Sequence, residues 1–308
     1  SDYHEVAKAI ADMVTQSAGP YTAVGMGMAL AAYQVRGEAK EKQISFLKQA
    51  AYDLAHSRPT TANRYGQITY RCADIAAAAL ESGKDAVVAI RDDTIVSLNR
   101  RYGTMQKVGD YLESLVPQNG TILTQCYGET IIGTLIRAAK KNGKSFKVFC
   151  AETRPYLQGA RLTSSCFAEM GFDTTVISDN MVAYAMQNEG IDLFTSAADS
   201  IARDGHIANK VGTFQIAILA KYFAVPYYVT GIPDRDKMTK DDIVIEMRDP
   251  EQVLRYRGIQ NTLPQVKAIY PSFDVVPPHL ISGAVTDKGI YVPYLLDRYF
   301  DGEQSSFY

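Results

Sequence analysis

Apolar positions recur at helical spacing through the first third of the chain. Val6, Ala9, Ile10 and Met13 fall on one face, and Tyr21–Tyr33 is nearly continuously apolar, as a buried helix would be. Ile44–Leu54 is amphipathic, and Ile75–Leu80 is almost entirely small or apolar. Val87–Ile90 and Thr94–Leu98 fit either a short hairpin around Arg91-Asp92-Asp93 or the end of a helix, and the pattern does not choose between them. These signals predict a helical N-terminal domain over residues 1–116.

From Pro117 onward the period changes. Thr121–Gln125 is a β-branched run, followed by a helix with Ile131, Ile132, Leu135, Ile136 and Ala139 on one face that stops at Asn142-Gly143. Strands are predicted at Phe146–Cys150, Thr174–Ile177, Leu193–Ser196 and Tyr227–Val229. Helices are predicted through Gly159–Met170, Met181–Gln187 and Lys210–Phe223. Largely apolar strands alternating with helices indicate a parallel sheet covered on both faces. The fold class is therefore α/β: a helical N-terminal domain followed by a Rossmann-like α/β domain over residues 117–308.

In an open sheet of this kind, ligands gather beyond the carboxyl ends of the strands. Cys126-Tyr127-Gly128-Glu129 follows the first predicted strand, Glu152-Thr153-Arg154-Pro155 the second, and Ser178-Asp179-Asn180 the third. Ala198-Asp199-Ser200 follows the fourth and Thr230-Gly231 the fifth. A thiol, several carboxylates, a guanidinium and an amide are thereby brought to one rim. Each has a plainer reading beside the functional one. Cys126 also reads as a small core residue, Asp179-Asn180 and Asp199-Ser200 as helix caps, Arg154-Pro155 as a surface turn, and Glu129 as first-turn compensation of a helix dipole.

No Walker-type loop and no G-x-G-x-x-G follows a strand, so the motifs support no nucleotide cofactor. Arg203-Asp204-Gly205-His206, opening onto Ile207-Ala208-Asn209-Lys210, offers helix N-terminal amides and one cation for a single phosphate.

Composition narrows the partners. The 308 residues are 46% hydrophobic and 21% charged with a formal net charge of -2, and no block of like charge suggests nucleic-acid or membrane binding. The N-terminal residues lack a signal-peptide pattern, and no apolar run reaches the roughly 18 residues of a membrane span. Cys72, Cys126, Cys150 and Cys166 have no close pairing or metal-ligand spacing, which predicts free thiols, no metal and a cytoplasmic setting.

At this point the residues resemble a family. The stretch Glu152-Thr153-Arg154-Pro155-Tyr156-Leu157-Gln158-Gly159-Ala160-Arg161-Leu162-Thr163 closely resembles a segment of the S-methyl-5-thioribose-1-phosphate isomerases. So do Ser178-Asp179-Asn180-Met181, Ala198-Asp199, Asp204 through Thr213, and Phe273-Asp274-Val275-Val276-Pro277-Pro278; Arg58-Pro59-Thr60-Thr61-Ala62-Asn63 resembles its RPT-x-x-N stretch. The resemblance implies an aldose 1-phosphate to ketose 1-phosphate isomerase, best matched to 5-methylthioribose 1-phosphate and methionine salvage. It implies Cys126 and Asp199 as the catalytic pair and Arg58, Gln158, Asn209 and Lys210 as substrate-binding residues. Arg154, Asp179 and Asn180 would support the rim. It also implies a homodimer and a phosphorylated pentose as partner, with no metal or organic cofactor.

Three departures bear on substrate choice. Tyr127-Gly128-Glu129 stands where the family has Asn-Ala-Gly, Ser200 follows the aspartate where arginine is usual, and Gln16-Ser17-Ala18-Gly19-Pro20-Tyr21 replaces an Arg-Gly-Ala phosphate turn. They keep open an isomerase for 5-deoxyribose 1-phosphate or ribose 1,5-bisphosphate. The superfamily also includes regulatory subunits of the initiation guanine-nucleotide exchange factor, so a non-catalytic sugar-phosphate or nucleotide sensor is the alternative outside enzymes. For catalysis, Cys126 is expected with its pKa lowered by nearby cations or helix N-termini, moving a proton between C2 and C1, and Asp199 as the group that protonates the ring oxygen.

Overall fold

The computed structural model describes residues 2–58 and 61–302. They form two compact units, the first ending at Thr104 and the second beginning at Met105.

The first unit is helical: α1 (Tyr3–Ala11), α2 (Gly19–Val35), α3 (Lys40–Ala55), α4 (Ala62–Glu81) and the first part of α5 (Ala86–Leu115). Asp2 starts α1 by accepting from the His4 and Glu5 N–H groups. Helix α2 is apolar around its whole circumference because its neighbours cover it on several sides, and Ile10, Met28, Leu47, Leu54, Tyr65 and Ile90 form the centre of the core. A Cβ on Gly25 would lie 2.6 Å from Thr94 Oγ1, so glycine is what lets α2 reach α5 this closely.

The segment around Arg91-Asp92-Asp93 is neither a hairpin nor a helix end but the interior of the 30-residue α5. Asp85 accepts from the Val87 and Val88 N–H groups at its start. Ile90, Thr94, Ser97, Arg101, Met105, Val108 and Leu112 are buried at the three-and-four spacing of one helical face.

The second unit carries β1 (Thr121–Gln125), α6 (Glu129–Lys141), β2 (Lys147–Ala151), a π-helical turn (Gly159–Thr163), α7 (Ser164–Glu169) and β3 (Asp173–Ile177). After these come α8 (Val182–Asn188), β4 (Leu193–Ala197), β5 (Ser200–Ile201), β6 (Ile207–Lys210), α9 (Thr213–Tyr222) and β7 (Tyr227–Thr230). The C-terminal part adds α10 (Glu251–Leu254), the β8 (Arg255–Tyr256) and β9 (Ile259–Gln260) hairpin, β10 (Phe273–Val276), β11 (Gly283–Thr286) and β12 (Gly289–Tyr291).

The main sheet is ordered β12-β11-β7-β4-β1-β2-β3, parallel throughout except for the β11–β12 edge pair. Strands β1 and β2 climb to one side and β4 returns to the other side of β1, so the topological switch point lies between the tips of β1 and β4. Leu123, Phe194, Val229 and Ile216 fill the core, and β3, at the edge, is largely exposed.

One predicted helix boundary is wrong in a way that matters. Residues 207–210 are not the approach to a helix but the central strand of a second, antiparallel sheet, β10-β6-β5, with all four side chains buried. The helix starts only at Thr213, after Gly212 turns the chain at φ 101°, a left-handed conformation open to glycine. Asp274 accepts from the Gly212 and Phe214 N–H groups at 2.7 and 3.1 Å, supplying the cap from another strand.

Candidate active site

Cys126 follows β1 and Asp199 follows β4, so the two strands flanking the switch point deliver a thiol and a carboxylate. The turn after β1 lies tight against β4: a Cβ on Gly128 would come within 2.9 Å of Ala197 Cβ. Asp199 is itself tied down, its N–H donating to Ala208 O on β6 at 2.9 Å. The backbone of Cys126 sits at φ 58°, with its N–H donating to Thr153 Oγ1 at 2.8 Å.

Lys210 ends β6 beside this pair. Its side chain is 4% exposed, its Nζ lies 5.0 Å from the centre of the Phe273 ring, and among the described residues it has neither an ion-pair partner nor a hydrogen bond from Nζ. A buried ammonium that makes no direct ion pair is a place for an anion. Its backbone carbonyl accepts from Gln125 Nε2 at 3.1 Å and from Thr213 Oγ1 at 2.6 Å, which lashes β6 to the tip of β1. Asn209 is buried and donates to Thr213 Oγ1 at 3.0 Å. Gln158, 2% exposed, has a buried Oε1 with no hydrogen-bond partner among the described residues.

Electrostatics overturn one expectation. The Cys126 thiol is pushed up to about 11 rather than lowered: burial raises it most, the Lys210 ammonium opposes, and the Asp199 and Asp179 carboxylates push it further up. The shift runs against thiolate formation, although Cys126 as a whole is only half-buried. Glu152, at the tip of β2, is also raised, by burial first and by Asp179 second, with Arg154 opposing.

The supporting residues divide. Asp179 is no helix cap; its carboxylate accepts from the Thr153 and Arg154 N–H groups, each at 2.7 Å, and so fixes the turn after β2. The Arg154 guanidinium makes no direct hydrogen bond to a rim carboxylate among the described residues and acts on Glu152 only as a nearby charge. It donates to the backbone carbonyls of Val253 at 3.0 Å and Arg255 at 3.3 Å. Asn180 is exposed and accepts from the neighbouring Ser178 hydroxyl at 2.5 Å, a local turn contact. Arg58 is buried in the first unit; Pro59 and Thr60 of its motif lie outside the described residues.

The proposed phosphate amides are also occupied. Asp204 N–H donates to Met238 O, Gly205 N–H to Ala202 O and His206 N–H to Asp204 Oδ1, and the chain after them enters a strand, so no helix N-terminus is presented there. Beside the pair a cleft of about 510 Å³ opens, lined by Gln125, Arg154, Asp179, Phe214 and Asp274 rather than by Cys126 or Asp199 themselves.

Sequence reading singled out none of the hydroxyls that hold the site, Thr153, Thr163 and Thr213, nor Tyr270. That tyrosine is buried, its phenol raised chiefly by burial, with the Arg248 guanidinium opposing. Thr153 and Thr163 both lie inside the resembling segment, which was the one available signal.

A Rossmann-like sheet with a thiol, a carboxylate and an unpaired buried ammonium at its switch point defines an α/β protein built to work on a small anion. The chain belongs to the initiation factor 2 subunit family, which it matches over residues 19–293. It is 36% identical to the methylthioribose-1-phosphate isomerase of Desulforudis audaxviator over 95% of this chain and 87% of that protein. Among solved structures it is similar to 5-methylthioribose 1-phosphate isomerase from Pyrococcus horikoshii (29% identity, TM-score 0.81, 97% of this chain and 86% of that one). It is also similar to the translation initiation factor eIF-2B subunit delta from A. fulgidus (28% identity, TM-score 0.78, 95% and 88%).

Proposed function

We propose that this protein is an aldose–ketose isomerase that converts 5-methylthioribose 1-phosphate to methylthioribulose 1-phosphate, the activity named for its 31–36% identical relatives. The observation that supports this most directly is the placement of Cys126 and Asp199 at the switch point beside Lys210, which makes no direct ion pair among the described residues. A sensor needs the cation but has no use for a thiol and a carboxylate brought to neighbouring strand ends.

The anomeric oxygen carries phosphate, so the sugar ring does not open by ordinary hemiacetal chemistry. Overall, the hydrogen on C2 moves to C1, and the proton of the C2 hydroxyl is balanced by one delivered to the ring oxygen as its bond to C1 breaks. A thiol held at about 11 enters this sequence carrying its proton, which suits it to donate to the ring oxygen and recover the proton of the C2 hydroxyl, and leaves Asp199 to take the proton from C2 and return it to C1. This reverses the division of labour expected from sequence, because burial at Cys126 outweighs the cation beside it. Lys210 holds the phosphate, with Gln158 and Asn209 offering polar atoms to the sugar. Arg58 is assigned to substrate by resemblance. The enzyme works as a cytoplasmic homodimer in this reading.

The test is a panel of ribose 1-phosphates bearing methylthio, methyl, hydroxyl or phosphate at C5, with ketose formation followed by NMR. The methylthio sugar should turn over fastest, and Cys126→Ser and Asp199→Asn should each abolish turnover in a folded protein. Near-normal turnover by either variant rules out the assignment of the pair.

A further inference from the structure

The peptide unit of Cys126 is gripped from both sides by hydroxyls that come from distant segments. Its N–H donates to Thr153 Oγ1 at 2.8 Å, and its carbonyl accepts from the Thr163 hydroxyl. Both threonines are buried, 1% and 0% exposed. Between the two contacts Cys126 adopts φ 58°, a left-handed conformation that a Cβ disfavours and that persists only where the surroundings impose it. The β1 ladder does not impose it, since its last pair with β2 is Gln125 with Ala151.

The two threonines are themselves aimed. Thr153 sits at φ 65° with its N–H held by Asp179 at 2.7 Å and its hydroxyl donating to Ala151 O at 3.1 Å, which leaves an oxygen lone pair for Cys126. The neighbouring hydroxyls of Ser164 and Ser165 fold back onto Ala160 O and Arg161 O within their own helix, the ordinary habit of a helical serine. Thr163, at the end of the π-helical turn, instead sends its hydroxyl out to Cys126. That turn packs closely enough that a Cβ on Gly159 would lie 1.8 Å from Ala151 O and 2.9 Å from Thr153 Oγ1.

We propose that Thr153 and Thr163 are positioning residues for the reaction: their hydroxyls lock the left-handed Cys126 peptide and so turn its thiol out of the strand direction toward Asp199 and the substrate. The inference rests on Cys126 as the proton-transferring thiol. It also gives Asp179 a role, at one remove, as the anchor of Thr153.

The test compares Thr153→Val and Thr163→Val, which keep shape and lose the hydroxyl, with Thr153→Ser and Thr163→Ser, which keep it. Each valine variant should lower kcat by about tenfold to a hundredfold, the scale of a misplaced catalytic group, while KM changes little. Serine should restore kcat to within about threefold of the parent. Independently of turnover, alkylation of Cys126 by iodoacetamide, followed on its own peptide by mass spectrometry at fixed pH, should accelerate in the valine variants and not in the serine ones. Where a valine variant fails to fold by circular dichroism, the alanine variant at the same position is read in its place. Folded hydroxyl-free variants with parental kcat and parental alkylation rate overturn the proposal. If no sugar of the panel is isomerised, the functional reading falls separately. The alkylation contrast between valine and serine then still decides the clamp, a difference supporting it and equal rates overturning it.

Discussion

The protonation of Cys126 is open to direct measurement. Burial lifts its thiol from the ordinary 9.0 to about 11, against the pull of Lys210. Two pH units make the thiolate about a hundredfold scarcer than in an unperturbed cysteine, so at pH 8 roughly one molecule in a thousand carries the charge. Because the thiolate is the nucleophile, the alkylation rate of Cys126 should rise with unit slope on a logarithmic scale from pH 7 to pH 10 and show no plateau in that range. At pH 8 it should be about a hundredfold slower than the same cysteine in the denatured chain. Asp199→Asn should move the whole curve to lower pH, because the lost carboxylate repels the thiolate; Lys210→Met should move it to higher pH, because the lost ammonium attracts it. The assay is peptide-resolved mass spectrometry of iodoacetamide labelling in phosphate-free buffer. A plateau at or below about pH 8.5, where an ordinary thiol titrates, would refute the claim that burial governs this group. So would either variant shifting the opposite way.

Lys210→Ala should raise KM for the phosphorylated sugar by about tenfold to a hundredfold, the value of a charge-assisted contact, with a smaller effect on kcat; an unchanged KM removes it from the phosphate site. Asp274→Ala strips the acceptor from the Gly212 and Phe214 N–H groups at the start of α9 and should destabilise the protein by about 1–2 kcal/mol in urea titration, whereas parental stability would show that the cap is idle. Cys150, fully buried, is pushed up to about 12 from 9.0 by burial alone. A folded-state pKa above the unfolded one stabilises below pH 9 and loses that contribution as pH rises to 12, up to about 4 kcal/mol at about 1.4 kcal/mol per pH unit. Cys150→Ala should therefore flatten the fall in stability between pH 9 and 12, and an identical alkaline profile would disprove the linkage.

The strand-and-helix alternation was legible where one element kept one period. Helices α2, α3 and α6 and strands β1, β2, β4 and β7 fall where their apolar patterns put them, while of α4 only the later turns, Ile75–Leu80, stood out. The pattern failed where identity depends on a partner far away in sequence. Ile207-Ala208-Asn209-Lys210 has neither clean alternation nor a β-branched run; it is a strand because Phe273–Val276 and Ser200-Ile201 bond to it from either side. Arg91-Asp92-Asp93 misled in the other direction. Of the charges that suggested a turn, Arg91 and Asp92 face solvent on α5 and pair at 2.7 Å while Asp93 pairs with Arg71 at 3.1 Å, and only the spacing of buried residues through Leu112 reveals the helix.

The strand-tip rule delivered the atoms of the candidate site, Cys126 and Asp199, since a parallel sheet has one functional end and both residues follow strands that reach it. What sequence did not supply was their state. A cysteine near a lysine reads as an activated thiolate until the depth of the pocket is known, and depth is a property of packing that no motif records. The same holds for the hydroxyls of Thr153 and Thr163, which meet Cys126 across 27 and 37 residues. Both lie in the stretch that carries the family resemblance, where nothing marked either hydroxyl. The thiol is held in place by residues that look ornamental and kept protonated by residues that look merely apolar, so the chemistry proposed for it depends more on its surroundings than on the cysteine and aspartate that a motif search returns.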